Sequence, residues 1–258
     1  MTDSKLLSLT ELTDKELLRY SRQIMLPKFD VAGQLALKNS HVLIVGLGGL
    51  GSPVSLYLAA AGVGCLILAD DEEVDVSNLQ SQVAHGEASV GVSKVESAAE
   101  SLRRLNSNIK VHTHAARLEG ATLLNILEQV DLVVDCSDNF TTRFELNRAC
   151  VTLKVPLVSG AAIRMEGQVS VFDNRVEDAP CYQCLYSDVS DEQLSCSESG
   201  VMAPLVGIIG AMQAMEAIKI LSGLGQPLIG KLLLLDAMSM QWRSLKLKKD
   251  PTCPCCSK

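Results

Sequence analysis

The chain alternates short apolar runs with longer amphipathic stretches, and that alternation predicts its elements. "HVLIVG" (41–46) is a continuous run rich in β-branched residues, as expected of a strand buried on both faces. It passes through "GLGGLG" into an alanine-rich helical segment, and "GCLILAD" (64–70) closes the unit as a second strand. Apolar runs at 109–114, 131–136 ("DLVVDC") and 155–160 ("VPLVSG") predict further strands, with helical patterns between them at 93–105, 120–129 and 141–153. Strands and helices in strict alternation imply a mainly parallel sheet covered on both sides.

The two ends of the chain differ from this middle. At the start, "TDKE" (13–16) has capping-box spacing, with Thr13 facing Glu16, and predicts a helix running to about Ile24; a second, polar helix follows at 30–39. Beyond residue 160, "GQVSVF" alternates with period two and a polar stretch runs from about 173 to 200. A long helix comes next, and "KLLLLD" with "QWRSLKL" predicts a closing pair of strands. The expected fold is α/β, Rossmann-like, with a mainly parallel sheet and a mixed or antiparallel C-terminal extension. One domain over 1–258 is expected, with its nucleotide-binding part at about 41–160.

Composition narrows the function. The 47% hydrophobic residues in 258 suffice for one substantial core. A net charge of -7 argues against nucleic acid or an anionic membrane as partner, since both select basic surfaces. The longest apolar run, 201–212, is about half of a bilayer span and reads as a buried helix. No apolar run opens the chain, so a cytoplasmic location is expected. The nine cysteines are clustered, which suggests metal or thiol chemistry more than disulfides; Cys65, Cys136 and Cys150 lie in apolar segments and read as packing residues.

Gly46, Gly48 and Gly51 fit G-x-G-x-x-G, with Gly49 between, at a strand-to-helix turn where backbone N–H groups can approach a phosphate. Asp70, about 20 residues on, is placed to accept hydrogen bonds from ribose hydroxyls. The alternative is a tight strand-to-helix turn with no ligand; the flanking strand and the acidic residue together favour nucleotide binding. Lys94, opening the next helix, could reach a triphosphate, although alone it reads as a solvated surface lysine. "DCSDN" puts Asp135, Asp138 and Asn139 at a strand's carboxyl end, where one carboxylate plus phosphate oxygens would suit Mg²⁺. Asp138 or Asn139 could equally cap the helix that follows.

"CYQC" places Cys181 and Cys184 at C-x-x-C spacing, which fits a redox pair, half a zinc site or neither. The tail "DPTCPCCSK" offers a second such pair in Cys253 with Cys256. Two pairs fit a closed tetrahedral Zn²⁺ site of structural kind, a zinc knuckle that leaves Cys255 over. Cys253 with Cys255 is one residue too close.

In order, "RYSRQI", "VLIVGLGGLG", "SNLQSQ", "KVES", "DCSDN", "VPLVSGAAIRMEGQ", "CYQC", "GVMAPLVGIIG" and the terminal cysteines resemble the MoeB/ThiF adenylyltransferase family, related to the ubiquitin-activating E1 enzymes, over nearly the whole chain. Within it the molybdopterin branch is the nearest likeness. The resemblance implies ATP-dependent activation of the C-terminal glycine of a small ubiquitin-like sulfur carrier ending in Gly-Gly, giving an acyl-adenylate and pyrophosphate. It implies adenosine and ribose contacts from Gly49 and Asp70, a phosphate region from Ser77, Asn78, Leu79, Gln80 and Ser81 with Lys94, and Mg²⁺ on Asp138 with Asn139 beside it. It assigns zinc to Cys181, Cys184, Cys253 and Cys256. Arg22 matches an arginine lent across a homodimer, and two carriers would complete a heterotetramer, bound by the part at about 161–258. Cys196, in "DEQLSCSESG", matches a cysteine that in some relatives links covalently to the carrier; in this branch a free thiol is the plainer expectation.

Two positions depart from the family pattern. Ser81 stands where arginine is usual, which removes one phosphate-facing guanidinium, and Glu72 stands where aspartate is more common. A thiamine-pathway activator, or a carrier-binding homologue with weakened catalysis, are the alternatives. A nicotinamide dehydrogenase would leave the cysteine pairs and the "DCSDN" carboxylates without a role. No rhodanese-like domain is expected after the knuckle, so sulfur would come from another protein.

Overall fold

The computed structural model describes residues 11–186 and 200–257. Its strands are β1 (His41–Val45), β2 (Cys65–Ala69), β3 (Lys110–His114), β4 (Leu132–Asp135), β5 (Leu157–Ile163), β6 (Glu166–Phe172), β7 (Lys231–Asp236) and β8 (Gln241–Lys246). They form one sheet in the order β3-β2-β1-β4-β5-β6-β7-β8. The pairings from β3 through β5 are parallel, and those from β5 through β8 are antiparallel. The mixed extension expected after residue 160 is therefore present.

The chain runs outward from β1 to β3 and then returns to lay β4 beside β1. Between those two strands the winding reverses, and the crevice beyond their carboxyl ends is where open α/β sheets bind ligands. Register makes the crevice compact: Val45 lies beside both Ala69 and Asp135, and Asp135 beside Ser159. Consequently the segments that begin at Gly46, Asp70 and Cys136 leave the sheet in one row.

Period-two alternation splits β1 between two cores. Val42 and Ile44 join the cluster with Leu58, Leu102 and Ile209, under helices α3 (Asp30–Lys38), α4 (Gly51–Ala61), α5 (Lys94–Leu105) and α9 (Ala203–Ser222). Leu43 and Val45 join Leu127, Leu146 and Tyr182 under α6 (Gly120–Leu127) and α7 (Phe140–Leu153). Helix α9 is long and apolar enough to cross a membrane by composition. It packs instead along α4 and β5, and Gly210 comes so close to α4 that a Cβ there would lie 2.5 Å from the Leu50 carbonyl oxygen.

The single helix expected from Thr13 to Ile24 is broken. Helix α1 (Asp14–Arg19) and helix α2 (Ser21–Ile24) meet at Tyr20, whose φ of -98° and ψ of 9° leave the helical region. Tyr20 is buried, and its hydroxyl accepts a hydrogen bond from Asn106 Nδ2 at 2.9 Å, a tertiary anchor that overrides local helix propensity. The capping box itself is present: Glu16 N–H donates to Thr13 Oγ1 and Thr13 N–H donates to Glu16 Oε2. A short helix, α8 (Tyr182–Leu185), contains Cys184 and is preceded by Cys181 at its N-cap.

Candidate active site

The glycines divide into packing and open positions. Gly46 has φ of +88°, a left-handed conformation, and a Cβ on it would meet the Cys136 carbonyl oxygen at 2.7 Å. On Gly51 a Cβ would lie 1.8 Å from the Gly46 carbonyl oxygen, so both let α4 start tight against the end of β1. Gly49 faces Val206 of α9, whereas Gly48 has nothing nearer than 3.5 Å, the Gln82 amide nitrogen. Gly46, Gly48 and Gly49 line a cleft of about 770 Å³, within the range of small-molecule sites. Gly51 stays behind the cleft wall as a packing residue.

Asp70 is on the same wall. Its Oδ2 accepts from Leu47 N–H at 2.6 Å and its Oδ1 from Glu72 N–H at 2.9 Å, so it braces the glycine turn before any ligand arrives. Burial pushes its carboxyl above the usual range, against those two hydrogen bonds. Each oxygen retains a lone pair for a ribose hydroxyl. His85 supports the turn from below: one ring nitrogen meets the Leu47 carbonyl oxygen at 3.0 Å and the other Ser97 Oγ at 2.9 Å. Burial holds its pKa below the ordinary value.

Lys94 corrects its standalone reading as a solvated lysine, because only 3% of it is exposed. The segment after β2 pairs with the segment before α5, through Val74 N–H to the Val92 carbonyl and Lys94 N–H to the Glu72 carbonyl. That pairing draws the Lys94 side chain into the cleft, where its ammonium meets the Glu72 carboxylate. Ser77, Asn78, Gln80 and Ser81 line the cleft as expected, but Leu79 is not on its wall. Gln82, the end of the same polar segment and given no role from the sequence, is 6% exposed, lines the cleft and has no partner for its Oε1 among the described residues.

At the end of β4 the three acidic and amide candidates separate. Asp135 is fully buried and accepts from Ser137 N–H, Ser137 Oγ and Ser159 Oγ, which removes it as a metal ligand. Arg143 donates beside it to the Ser137 and Gly160 carbonyls. Burial opposes the guanidinium charge, but Asp135, Tyr182 and Tyr186 together outweigh it and push the Arg143 pKa up. Asn139 caps α7, accepting from Thr142 N–H at 2.8 Å. Asp138 is exposed on the cleft wall, the carboxylate of this segment that a cation could reach. A wall residue that sequence reasoning missed is Arg117, which donates to Thr142 Oγ1 at 3.2 Å and leaves no pattern beyond one basic residue after β3. Arg22 is exposed on α2 and is not among the residues lining this cleft.

Four cysteines gather outside the cleft lining. The Sγ atoms of Cys181, Cys184, Cys253 and Cys256 all lie within 4.8 Å of one another. Neighbouring pairs stand at 3.9 Å (Cys181 and Cys184), 3.6 Å (Cys181 and Cys253) and 3.4 Å (Cys184 and Cys256). A tetrahedron with Zn–S bonds of about 2.3 Å has sulfurs about 3.8 Å apart, so the donor set fits zinc. Donors already point at the sulfurs: Asp250 N–H at Cys184 Sγ and Asn147 Nδ2 at Cys181 Sγ and Cys255 Sγ. Cys255 is outside the cluster, as its spacing implied. Burial raises the Cys136 and Cys150 thiols, in keeping with packing roles. Cys196 lies outside the described residues.

The chain is similar to known proteins along most of its length. The chain is 52% identical to the molybdopterin-synthase adenylyltransferase of Salmonella typhimurium and 53% identical to that of Escherichia coli, over 96% of this chain and 99% of each relative. It is 48% identical to the adenylyltransferase and sulfurtransferase MOCS3 of Culex quinquefasciatus, where the match spans 57% of that longer protein. Among solved structures it resembles E. coli MccB crystallised with AMPCPP and MccA, with a TM-score of 0.81 and 26% identity, covering 92% of this chain and 74% of that one. The model of the ThiF family matches residues 20–255, and the chain belongs to that family.

Proposed function

We propose that the chain adenylates the C-terminal glycine of a small ubiquitin-like sulfur carrier with MgATP, in molybdenum cofactor biosynthesis. One observation carries the reading: a cleft lined by the glycine turn, Asp70, Lys94 and Asp138, in a chain half identical along its length to molybdopterin-synthase adenylyltransferases. Its resemblance to MccB, solved with ATP and with an ATP analogue, supports the nucleotide.

The chemistry asks little proton transfer of the protein. A C-terminal carboxylate is ionised at neutral pH and needs no general base. Its oxygen attacks the α-phosphorus, a new O–P bond forms as the bond to the leaving pyrophosphate breaks, and acyl-adenylate results. The residues therefore act by alignment and charge. In this reading Gly48 and Gly49 admit the nucleotide, Asp70 holds the ribose, and Ser77 to Ser81 with Lys94 face the phosphates. Asp138 would hold Mg²⁺, which offsets phosphate charge when bound. Cys181, Cys184, Cys253 and Cys256 would hold a structural Zn²⁺. Arg22, which does not line its own cleft, would serve a partner's in a homodimer, with two carriers completing a heterotetramer. A cytoplasmic setting follows from the same reading.

The test is carrier-dependent ATP/pyrophosphate exchange with purified chain, against a panel of Gly-Gly-ended carriers. Exchange with a molybdopterin-synthase small subunit supports the reading, and carrier binding without exchange would overturn it. That second outcome is the carrier-binding alternative, favoured by one feature: Ser81 offers the phosphates a hydroxyl already donated to the Asn78 carbonyl.

A further inference from the structure

Lys94 and Glu72 form an ion pair across the cleft wall that the adenylation reading leaves without a purpose. The Lys94 side chain is 4% exposed, whereas the Glu72 side chain is 67% exposed. Among the described residues, the Glu72 carboxylate is the only hydrogen-bond acceptor of the Lys94 ammonium. A buried ammonium with no counter-charge is costly, and Glu72 meets that cost from the solvent side. The backbone keeps the two residues in step: Lys94 N–H donates to the Glu72 carbonyl, and Glu72 N–H donates to Asp70 Oδ1. The carboxylate reaches inward while its own backbone is tied to the ribose-facing aspartate.

We infer that Glu72 is a placeholder for nucleotide phosphate, a positioning residue that holds Lys94 through their ion pair and must be displaced when MgATP binds. This rests on the reading of the cleft as an ATP site. A triphosphate oxygen would replace the Glu72 carboxylate on the Lys94 ammonium, and Glu72, already mostly exposed, would swing into water. Binding is then an exchange of one anion for another on a lysine that never loses its counter-charge. The apparent affinity for ATP is lowered by the pair that has to be broken, and the length of the Glu72 side chain sets how much.

Length separates this from plain charge repulsion. Glu72→Asp keeps the charge but shortens the reach by one methylene, and Glu72→Gln keeps the reach but removes the charge. Asp71→Asn removes one charge from an exposed residue of the same wall, whereas the ion-pair partner of Lys94 is Glu72. MgATP binding is measured by calorimetry on the full chain, with KM and kcat from exchange. Both Glu72 variants are expected to tighten MgATP by roughly three- to tenfold, the scale of one charged hydrogen bond partly screened by solvent, with Asp71→Asn changing it less. KM should fall with kcat nearly constant, and the gain should disappear in a Lys94→Met background. If Glu72→Asp binds like wild type while Glu72→Gln matches Asp71→Asn, Glu72 acts only through space and the inference is overturned. Weaker binding in Glu72→Asp would overturn it too, because Glu72 would then be orienting Lys94 toward phosphate. Should Lys94→Met fail to fold, the comparison of Glu72→Asp with Asp71→Asn still decides. A wild-type chain that binds no MgATP would refute the ATP reading itself.

Discussion

Replacing Gly51 with alanine tests the central geometric claim, that α4 starts where it does because nothing stands between it and β1. The added Cβ would lie 1.8 Å from the Gly46 carbonyl oxygen and 2.8 Å from its carbon, and both are backbone atoms of a turn that cannot rotate away. Restoring contact at about 3.2 Å requires the helix start to retreat by about 1.4 Å. Helix α4 is packed against α5 and α9, so the retreat disturbs two further interfaces. Overpacking of this kind costs about 3 kcal/mol, at the upper end of the usual range. For a domain of this size that lowers the melting temperature by roughly 6–12 °C. Gly48→Ala is the matched control, with 3.5 Å to its nearest neighbour. Its melting point should stay within about 2 °C of wild type, while its methyl group intrudes into the cleft and weakens MgATP. Thermal melts and calorimetry read both effects. A Gly51→Ala protein that melts like wild type and binds MgATP normally would refute the packing argument.

Three further outcomes are expected. Zinc measured by atomic absorption should be one per chain, retained in Cys255→Ser and lost in Cys256→Ser, since Cys255 lies outside the sulfur cluster. Ser81→Arg should raise carrier-dependent exchange by roughly tenfold or more, the value of a hydrogen bond from a charged donor; an unchanged rate would show that the serine is no handicap. Burial depresses the folded pKa of His85, so the unfolded chain binds its proton first on acidification. Stability from this residue is then full above about pH 6.5 and is lost as pH falls through the folded value. Denaturant melts from pH 7.5 to 5 should show that loss, and His85→Gln should show less of it.

The parts of the fold legible in the sequence are those with local causes. The strands at 41–46 and 64–70 and the turn between them follow from β-branched runs and glycines, and β1 and β2 lie there. The cysteine register follows from C-x-x-C spacing alone. Where long-range contacts decide, sequence reasoning falls short. Tyr20 breaks a helix because of Asn106, 86 positions away. Lys94 reads as solvated until 72–74 and 91–94 are seen to pair. Asp135 and Asp138 are indistinguishable in "DCSDN", yet strand geometry turns one into a buried network and leaves the other facing the cleft. Arg117 and His85 carry no motif, because their positions depend on partners from other segments, and Gln82 closes "SNLQSQ" without any local sign that it faces the cleft.

The sulfur cluster also bears on how the molecule comes apart. Cys181 and Cys253 are 72 positions apart, and the span between them includes α9, β7 and β8. Four thiolates on one metal would make that span a closed ring. By chain-entropy reasoning, a cross-link over about 70 residues disfavours the unfolded ensemble by roughly 4 kcal/mol. The ring contains Val206, which packs on Gly49 at the floor of the cleft. Unthreading the C-terminal third would then begin with metal release, so the life span of the protein under proteolysis should follow the off-rate of the metal more closely than nucleotide occupancy.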